Sequence, residues 1–333
     1  MIHKCVSDLL RSKGLKSGCG LVLSRSFRSG LTGSSGTVSI NPGGYNIWTD
    51  VVRPTAFGVG ASAAVFTLAA RVQQKKQENL ARSTQLTWGR RGIDDPSWLS
   101  RGDISLLSKL PAGVIRDSAA SLLVRWRSLL PHQQTLYGIT AINLLVLGGW
   151  RIRGLQGVML RNFMHYLPPQ PTRMHTLLTA NFSHRTVIHL LFNSLALISF
   201  GGAVHNRLGS EQFWAFFVAG GLSSSVVSHL ARVKSRPGGA SLGSSGAVYA
   251  VFAMMAYFEP KSQAFFIFLP GVPIALENLF PALVVLDLTG VLLRWRFLDH
   301  WGHLGGALFG YLYARYGQTY IWGNRDKLLL SST

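Results

Sequence analysis

SLGSSGAVYAVFAMMAYFEP, residues Ser241–Pro260, decides how the rest of the chain is read. A polar, glycine-rich turn gives way at Ser245 to an apolar run that carries no charge before Glu259. Serine at such a boundary is often only a helix cap. The same GSSG tetrapeptide also occurs at Gly33–Gly36, where no apolar run follows it. The tetrapeptide therefore means little without its surroundings. Two further stretches supply them: HLLFN at His189–Asn193 and DHWGHLGG at Asp299–Gly306, both inside apolar runs of membrane-span character.

Composition agrees with a membrane setting. Of the 333 residues only 14% are charged and 47% are hydrophobic, against about 25% charged in ordinary soluble domains. Mean hydropathy is +0.24. The expected fold class is an all-α polytopic membrane protein in a lipid bilayer. The formal charge of +20 lies mostly in the N-terminal half and in short loops between apolar runs. That distribution fits topology and targeting rather than a nucleic-acid partner. Cys5 and Cys19 both lie near the N-terminus, which leaves the body of the protein without a disulfide framework or a cysteine metal site.

Residues 1–49 are rich in Arg, Lys and Ser and hold one acid before residue 49, Asp8, as in a mitochondrial presequence. Residues 50–72 contain the first uncharged apolar run, Pro54–Ala70, and read as an N-terminal transmembrane helix whose small residues allow close packing. Residues 73–133 read as an extramembrane linker with a surface-lying helix at Ser118–Leu130. Residues 134–318 hold six spans, expected at Tyr137–Trp150, His175–Phe200, Phe213–Leu230, Gly243–Phe258, within Phe265–Leu293 with a break near Pro281, and at Trp301–Tyr316. Residues 319–333 remain as a C-terminal tail.

Polar residues inside such spans are costly unless paired, so they mark interior or functional positions. His189 and Asn193 are four apart and share a helix face. Either helix–helix hydrogen bonding or function would place them there. His303 sits among glycines in the last span. Beside a serine on a neighbouring helix, its imidazole becomes a candidate general base. Donors must then meet the charge that develops on an attacked carbonyl, and His189, Asn193 and the backbone N–H near Ser245 are the candidates. Asp299, four residues before His303, is expected to cap the last helix rather than complete a triad. Asp287 and Glu277 are expected to gate or pack, and His184 and His300 to lie at span ends. The sequence holds no HExxH and no Walker loop. Ala247 also breaks the G-x-S-x-G elbow of soluble hydrolases.

Taken together, FSH…HLLFN at Phe182–Asn193, GSSG at Gly243–Gly246 and HLGG at His303–Gly306, on the second, fourth and sixth core spans, resemble a rhomboid intramembrane serine protease. The extra N-terminal span, the presequence and LDLTGVLLRWRFLDHWGHLGGALFGYLYARYG resemble the mitochondrial presenilin-associated rhomboid-like branch. The resemblance covers about residues 134–327. It implies Ser245 as nucleophile and His303 as its base, a dyad without a carboxylate. It implies His189 and Asn193 as oxyanion donors, with Gly243 giving the backbone room beside the serine. It also implies cleavage of single-pass membrane proteins in the mitochondrial inner membrane, with no cofactor and no metal. The alternatives are a catalytically silent rhomboid-like protein that binds membrane clients, and a small-solute transporter. The transporter would need ionisable residues deeper in several spans.

Charge also predicts orientation. The first, third and fifth core connections carry Arg151, Arg153, Arg161 and Arg173, then Arg232, Lys234 and Arg236, then Arg294 and Arg296 against Asp299. On the opposite side Arg207 offsets Glu211 and Lys261 offsets Glu259. Short basic loops stay on the non-translocated side, here the matrix, and Ser245 and His303 both begin their helices next to those loops.

Overall fold

The computed structural model describes residues 45–87, 109–111, 113–168, 170, 172–234, 238–266 and 269–330. Most of the expected presequence and much of the linker lie outside these residues. Helix α1 is Arg53–Thr87, entered through a π-helical turn at Trp48–Val52. It does not stop where the apolar run stops at Ala70. The following RVQQKKQENLA is made of good helix formers with no Gly or Pro. Helix α2, Val114–Ser128, has no buried residue, as a surface helix should.

The core that follows has six helices: α3 (Pro131–Arg151), α5 (Val187–Leu208), α6 (Ser210–Arg232), α7 (Ser245–Phe258), α8 (Leu276–Leu292) and α9 (His300–Leu312). A short α4, Gln156–Asn162, lies between α3 and α5. The chain is thus an all-α polytopic membrane protein, with α1 preceding a six-helix core. Segments long and apolar enough to cross a bilayer are Trp48–Ala81, Val187–Leu208 and Ser210–Arg232, with α3 and the bent continuation after it as a fourth. Helices α7 and α9 have only 14 and 13 residues. Their ends sit against other protein segments, the one setting in which irregular backbone is tolerated at membrane depth.

Three expected boundaries differ. The segment 175–186 is not part of α5. It forms short helical turns at Thr176–Thr179 and Ala180–Phe182, and α5 starts only after Thr186, which caps the N–H of His189. The stretch before α8 is an antiparallel hairpin, β3 (Gln263–Phe266) with β4 (Leu269–Ala275), in which Pro270, Gly271 and Pro273 rule out helix. Pro281 falls inside α8 rather than breaking a span. The long loop after α3 also contains β1, His165–Tyr166, which pairs with β2, Ala240–Ser241.

Helix α6 is central and is buried on most sides, from Gln212 to His229. Lipid tails are as apolar as leucine, so little hydrophobic force draws such helices together, and cohesion comes from close packing and hydrogen bonds. The contacts follow that rule. A methyl on Gly306 of α9 would run into the backbone of Gly246 in α7, and one on Gly220 of α6 would come 2.8 Å from the Cβ of Ala250 in α7. Helix α1 meets α6 the same way, with Gly58 against Val226. Farther along α1, Phe66 stacks on Tyr313, with ring centroids 5.3 Å apart, and meets Trp322 edge-on. The end of the chain therefore packs on its first described helix.

The basic connections converge at one end. β1 and β2 join the first connection to the third, and Asp299 of the fifth pairs with Arg232 at the end of α6, 2.9 Å away. His229 Nε2 lies 3.1 Å from the carbonyl of Asp50, which brings the start of α1 to the same end.

Candidate active site

Ser245 is the first residue of α7. The turn before it depends on Gly243, whose φ of +124° disfavours any side chain and whose added Cβ would lie 2.7 Å from the His189 ring. The Gly243 N–H is held by the Ala180 carbonyl at 2.9 Å. Ser244 and Ser245 point to different partners. The Ser244 hydroxyl is buried 3.3 Å from His184 Nε2 and does not cap the helix. The Ser245 Oγ is 3.0 Å from His303 Nε2 on α9. The first N–H groups of α7 have no carbonyl one turn back, so this helix start is a ready acceptor site for negative charge.

His303 is held from two more sides. Tyr249, one turn after Ser245 on α7, stacks on the imidazole with centroids 4.4 Å apart and planes 9° apart. Asp287 of α8 places Oδ1 3.0 Å from His303 Nδ1, and the same oxygen is 2.6 Å from Nδ1 of His300. Asp287, His300 and His303 are all buried. Their donor atoms lie within 4.8 Å of one another, so this is also the group of described residues that could hold a metal ion.

His189 stands against Gly243 and meets His184 edge-on, with ring centroids 4.9 Å apart. Asn193 lies one turn along the same helix, and its Nδ2 donates to the His189 carbonyl at 2.8 Å. One of its two amide hydrogens remains for another acceptor. A small cleft opens beside Ser245, lined by Gly243, Ser224, Ser225, Ser241, Asp299 and His303. Its hydroxyl-rich wall is a place for water inside an apolar bundle.

Asp299 serves the frame. Its Oδ1 caps α9 by accepting the Gly302 N–H at 3.2 Å, and its Oδ2 accepts the hydroxyls of Ser228 and Ser241, each at 2.6 Å. Burial alone would raise this carboxyl, but the Arg232 guanidinium and the two serines hold it below the usual carboxylate range. It thereby ties α6, β2 and α9 together at the mouth of the cleft.

The structure thus brings Ser245, His303, Gly243 and His189 to one place, with Asn193 one turn along the helix from His189. It adds Tyr249, His184, Ser244 and Asp287, which sequence reasoning did not place in the site. For Tyr249 a signal existed, since it is four residues after Ser245 and so shares its helix face. His184 and Asp287 depend on pairings between segments far apart in sequence.

Residues 171–319 match the family model described as Rhomboid domain. The chain is 38% identical over 204 residues to "Presenilin-associated rhomboid-like protein, mitochondrial" of Homo sapiens, covering 61% of this chain and 54% of that protein. Similarity to "Presenilin-associated rhomboid-like protein A, mitochondrial" of Danio rerio is 37% identity over 204 residues, with 61% and 53% covered. "Rhomboid protein 1, mitochondrial" of Saccharomyces cerevisiae is 32% identical over 203 residues, with 60% and 58% covered. The matched region spans about half the length of these curated relatives.

Proposed function

We propose that this chain, whose residues 171–319 match the Rhomboid domain model and which is similar to mitochondrial rhomboid proteins, is an intramembrane serine endopeptidase of the mitochondrial inner membrane, cutting single-pass membrane proteins in or near their spans. The observation that carries this reading is the 3.0 Å approach of His303 Nε2 to Ser245 Oγ across two helices.

In this mechanism His303 takes the Ser245 proton as Oγ bonds to the substrate carbonyl carbon. The carbonyl oxygen becomes an oxyanion and accepts hydrogen bonds from the Ser245 backbone N–H, the His189 ring and the Asn193 amide. His303 then gives its proton to the leaving amine as the peptide C–N bond breaks, which leaves an acyl ester on Ser245. Water entering by the hydroxyl-lined cleft loses a proton to His303 as it attacks the ester; the acyl C–Oγ bond then breaks, His303 returns the proton to Ser245 Oγ, and the carboxylic acid product leaves. Tyr249 keeps the imidazole in plane throughout.

The reading is tested with the purified protein, a serine-directed fluorophosphonate and candidate single-pass substrates. Labelling that disappears with Ser245 supports it. An unlabelled protein that still binds such clients is a catalytically silent rhomboid-like protein instead.

Asn193→Ala is expected to lower turnover more than substrate affinity. One lost oxyanion donor costs roughly 10²–10³ in rate in well-formed sites, and the remaining two donors here soften that loss. Normal turnover with weakened affinity would make Asn193 a substrate-positioning residue.

The active site is expected to open toward the matrix, because the basic connections meet at the end where Ser245 and His303 begin their helices. A chain with Cys5 and Cys19 replaced by serine and carrying Lys234→Cys tests this in mitochondria. An impermeant maleimide should label it only after the inner membrane is opened. Labelling with the outer membrane alone ruptured would reverse the orientation.

A further inference from the structure

We infer that Asp287 is a positioning residue for His303: its carboxylate fixes the imidazole with the proton on Nδ1, so that Nε2 faces Ser245 as a free base, and His300 braces that carboxylate. The inference rests on the reading of Ser245 and His303 as a catalytic pair and adds to it a third group that this reading does not require.

The geometry turns on one oxygen. Asp287 Oδ1 receives His303 Nδ1 at 3.0 Å and His300 Nδ1 at 2.6 Å. An ionised carboxylate only accepts hydrogen bonds, so each nitrogen facing it carries a hydrogen. A neutral imidazole with its hydrogen on Nδ1 has a lone pair on Nε2. In His303 that nitrogen lies 3.0 Å from the Ser245 hydroxyl. Without an acceptor at Nδ1, the ring is free to carry its hydrogen on Nε2, where it would donate to Ser245 instead of taking its proton. The stacked Tyr249 holds the plane of the ring but cannot select the tautomer. The carboxylate also faces the ring when His303 becomes an imidazolium, so the charge formed during attack has a partner already in place.

Packing does not account for this residue. Asp287 is 1% exposed on an otherwise apolar stretch of α8, where a leucine would fill space at far lower cost. His300 also fits the assignment. Its Nδ1 bonds Asp287, and its Nε2 is buried without a hydrogen-bond partner.

The same three side chains form a metal donor set, but the distances favour hydrogen bonds. Ligand atoms bound to zinc at about 2.0–2.2 Å lie about 3.3 Å apart at tetrahedral corners. The 2.6 Å separation of His300 Nδ1 and Asp287 Oδ1 is well short of that and is a short hydrogen bond to a carboxylate.

The test is the rate of fluorophosphonate labelling of the purified full chain, normalised to folded protein. Wild type must label at Ser245; an unlabelled wild type overturns the catalytic pair and this inference with it. Given a labelled wild type, Asp287→Asn preserves volume and should slow labelling by about 10²–10⁴-fold, up to the roughly 10⁴ lost when the orienting aspartate of a serine-protease triad becomes asparagine. Its thermal unfolding should stay close to wild type. Asp287→Ala should be similarly slow, and added formate, a small carboxylate that fits the vacated space, should raise its rate at least tenfold where chloride at equal ionic strength does not. A merely structural aspartate would not give that rescue. If Asp287→Asn does not accumulate, the formate comparison alone decides. Labelling of Asp287→Asn within about threefold of wild type, or a slow Asp287→Ala indifferent to formate, overturns the inference while leaving the Ser245–His303 pair standing.

Discussion

Ser245→Ala is expected to abolish both substrate cleavage and fluorophosphonate labelling while the protein still accumulates, and Ser244→Ala is expected to retain substantial activity. The two serines are neighbours in a GSSG turn, and only their partners separate them. Ser245 Oγ faces His303 Nε2 at 3.0 Å, whereas Ser244 is buried against His184. Removing the nucleophile of a serine protease costs on the order of 10⁶ in turnover. His303→Ala belongs to the same class, because no other described imidazole lies within hydrogen-bond reach of Ser245 Oγ. Cleavage of a single-pass substrate in proteoliposomes reads all three variants. An active Ser245→Ala beside a dead Ser244→Ala would reverse the assignment.

Gly306→Ala is expected to lower both activity and stability, for a mechanical reason. The added methyl would lie 2.7 Å from the Gly246 carbonyl carbon and 3.0 Å from the Gly246 Cα. Those are backbone atoms, so no rotamer change relieves the contact, and α9 has to move away from α7. His303 is on α9 one turn earlier, and Gly246 directly follows Ser245. The separation therefore appears directly in the Ser245–His303 distance. Overpacking costs about 1–3 kcal/mol in stability, and a displacement of about 1 Å at reacting atoms costs about 10² in rate. Gly202→Ala is the control. Its methyl would meet only His132, at an ordinary 3.6 Å, and should leave both properties near wild type. Thermal unfolding and the labelling rate, measured together, check the prediction. A wild-type rate in Gly306→Ala would show that the two helices are not held by their glycines.

What could be read from sequence was what period and local chemistry encode. A serine at the start of an uncharged run, a histidine among glycines in another, and a histidine and an asparagine one turn apart were visible without coordinates. The glycines of HLGG announced a close helix approach, and Gly246 and Val227 are where it occurs. From sequence Asp287 reads as a gating or packing residue, because an acid in an apolar span has no visible partner when that partner is sixteen positions away on another helix. His184 reads as a span-end residue for a related reason. The helix begins after it, and its contact with Ser244 spans sixty positions. The hairpin before α8 reads as part of a span because its residues are as apolar as those of the helix that follows.

The ring stack of Phe66 with Tyr313 and Trp322 bears on how the molecule is made. Helix α1 receives the segment that directly follows α9, and α9 carries His303. A growing or partly threaded polypeptide therefore holds Ser245 long before it holds His303, its proposed base. Any intermediate that stops short of residue 300 contains Ser245 with no proton acceptor beside it. Under the proposed function such a chain passes among other membrane proteins without cutting them, and it gains its chemistry only when α9 packs against α7 and the segment after α9 closes on α1.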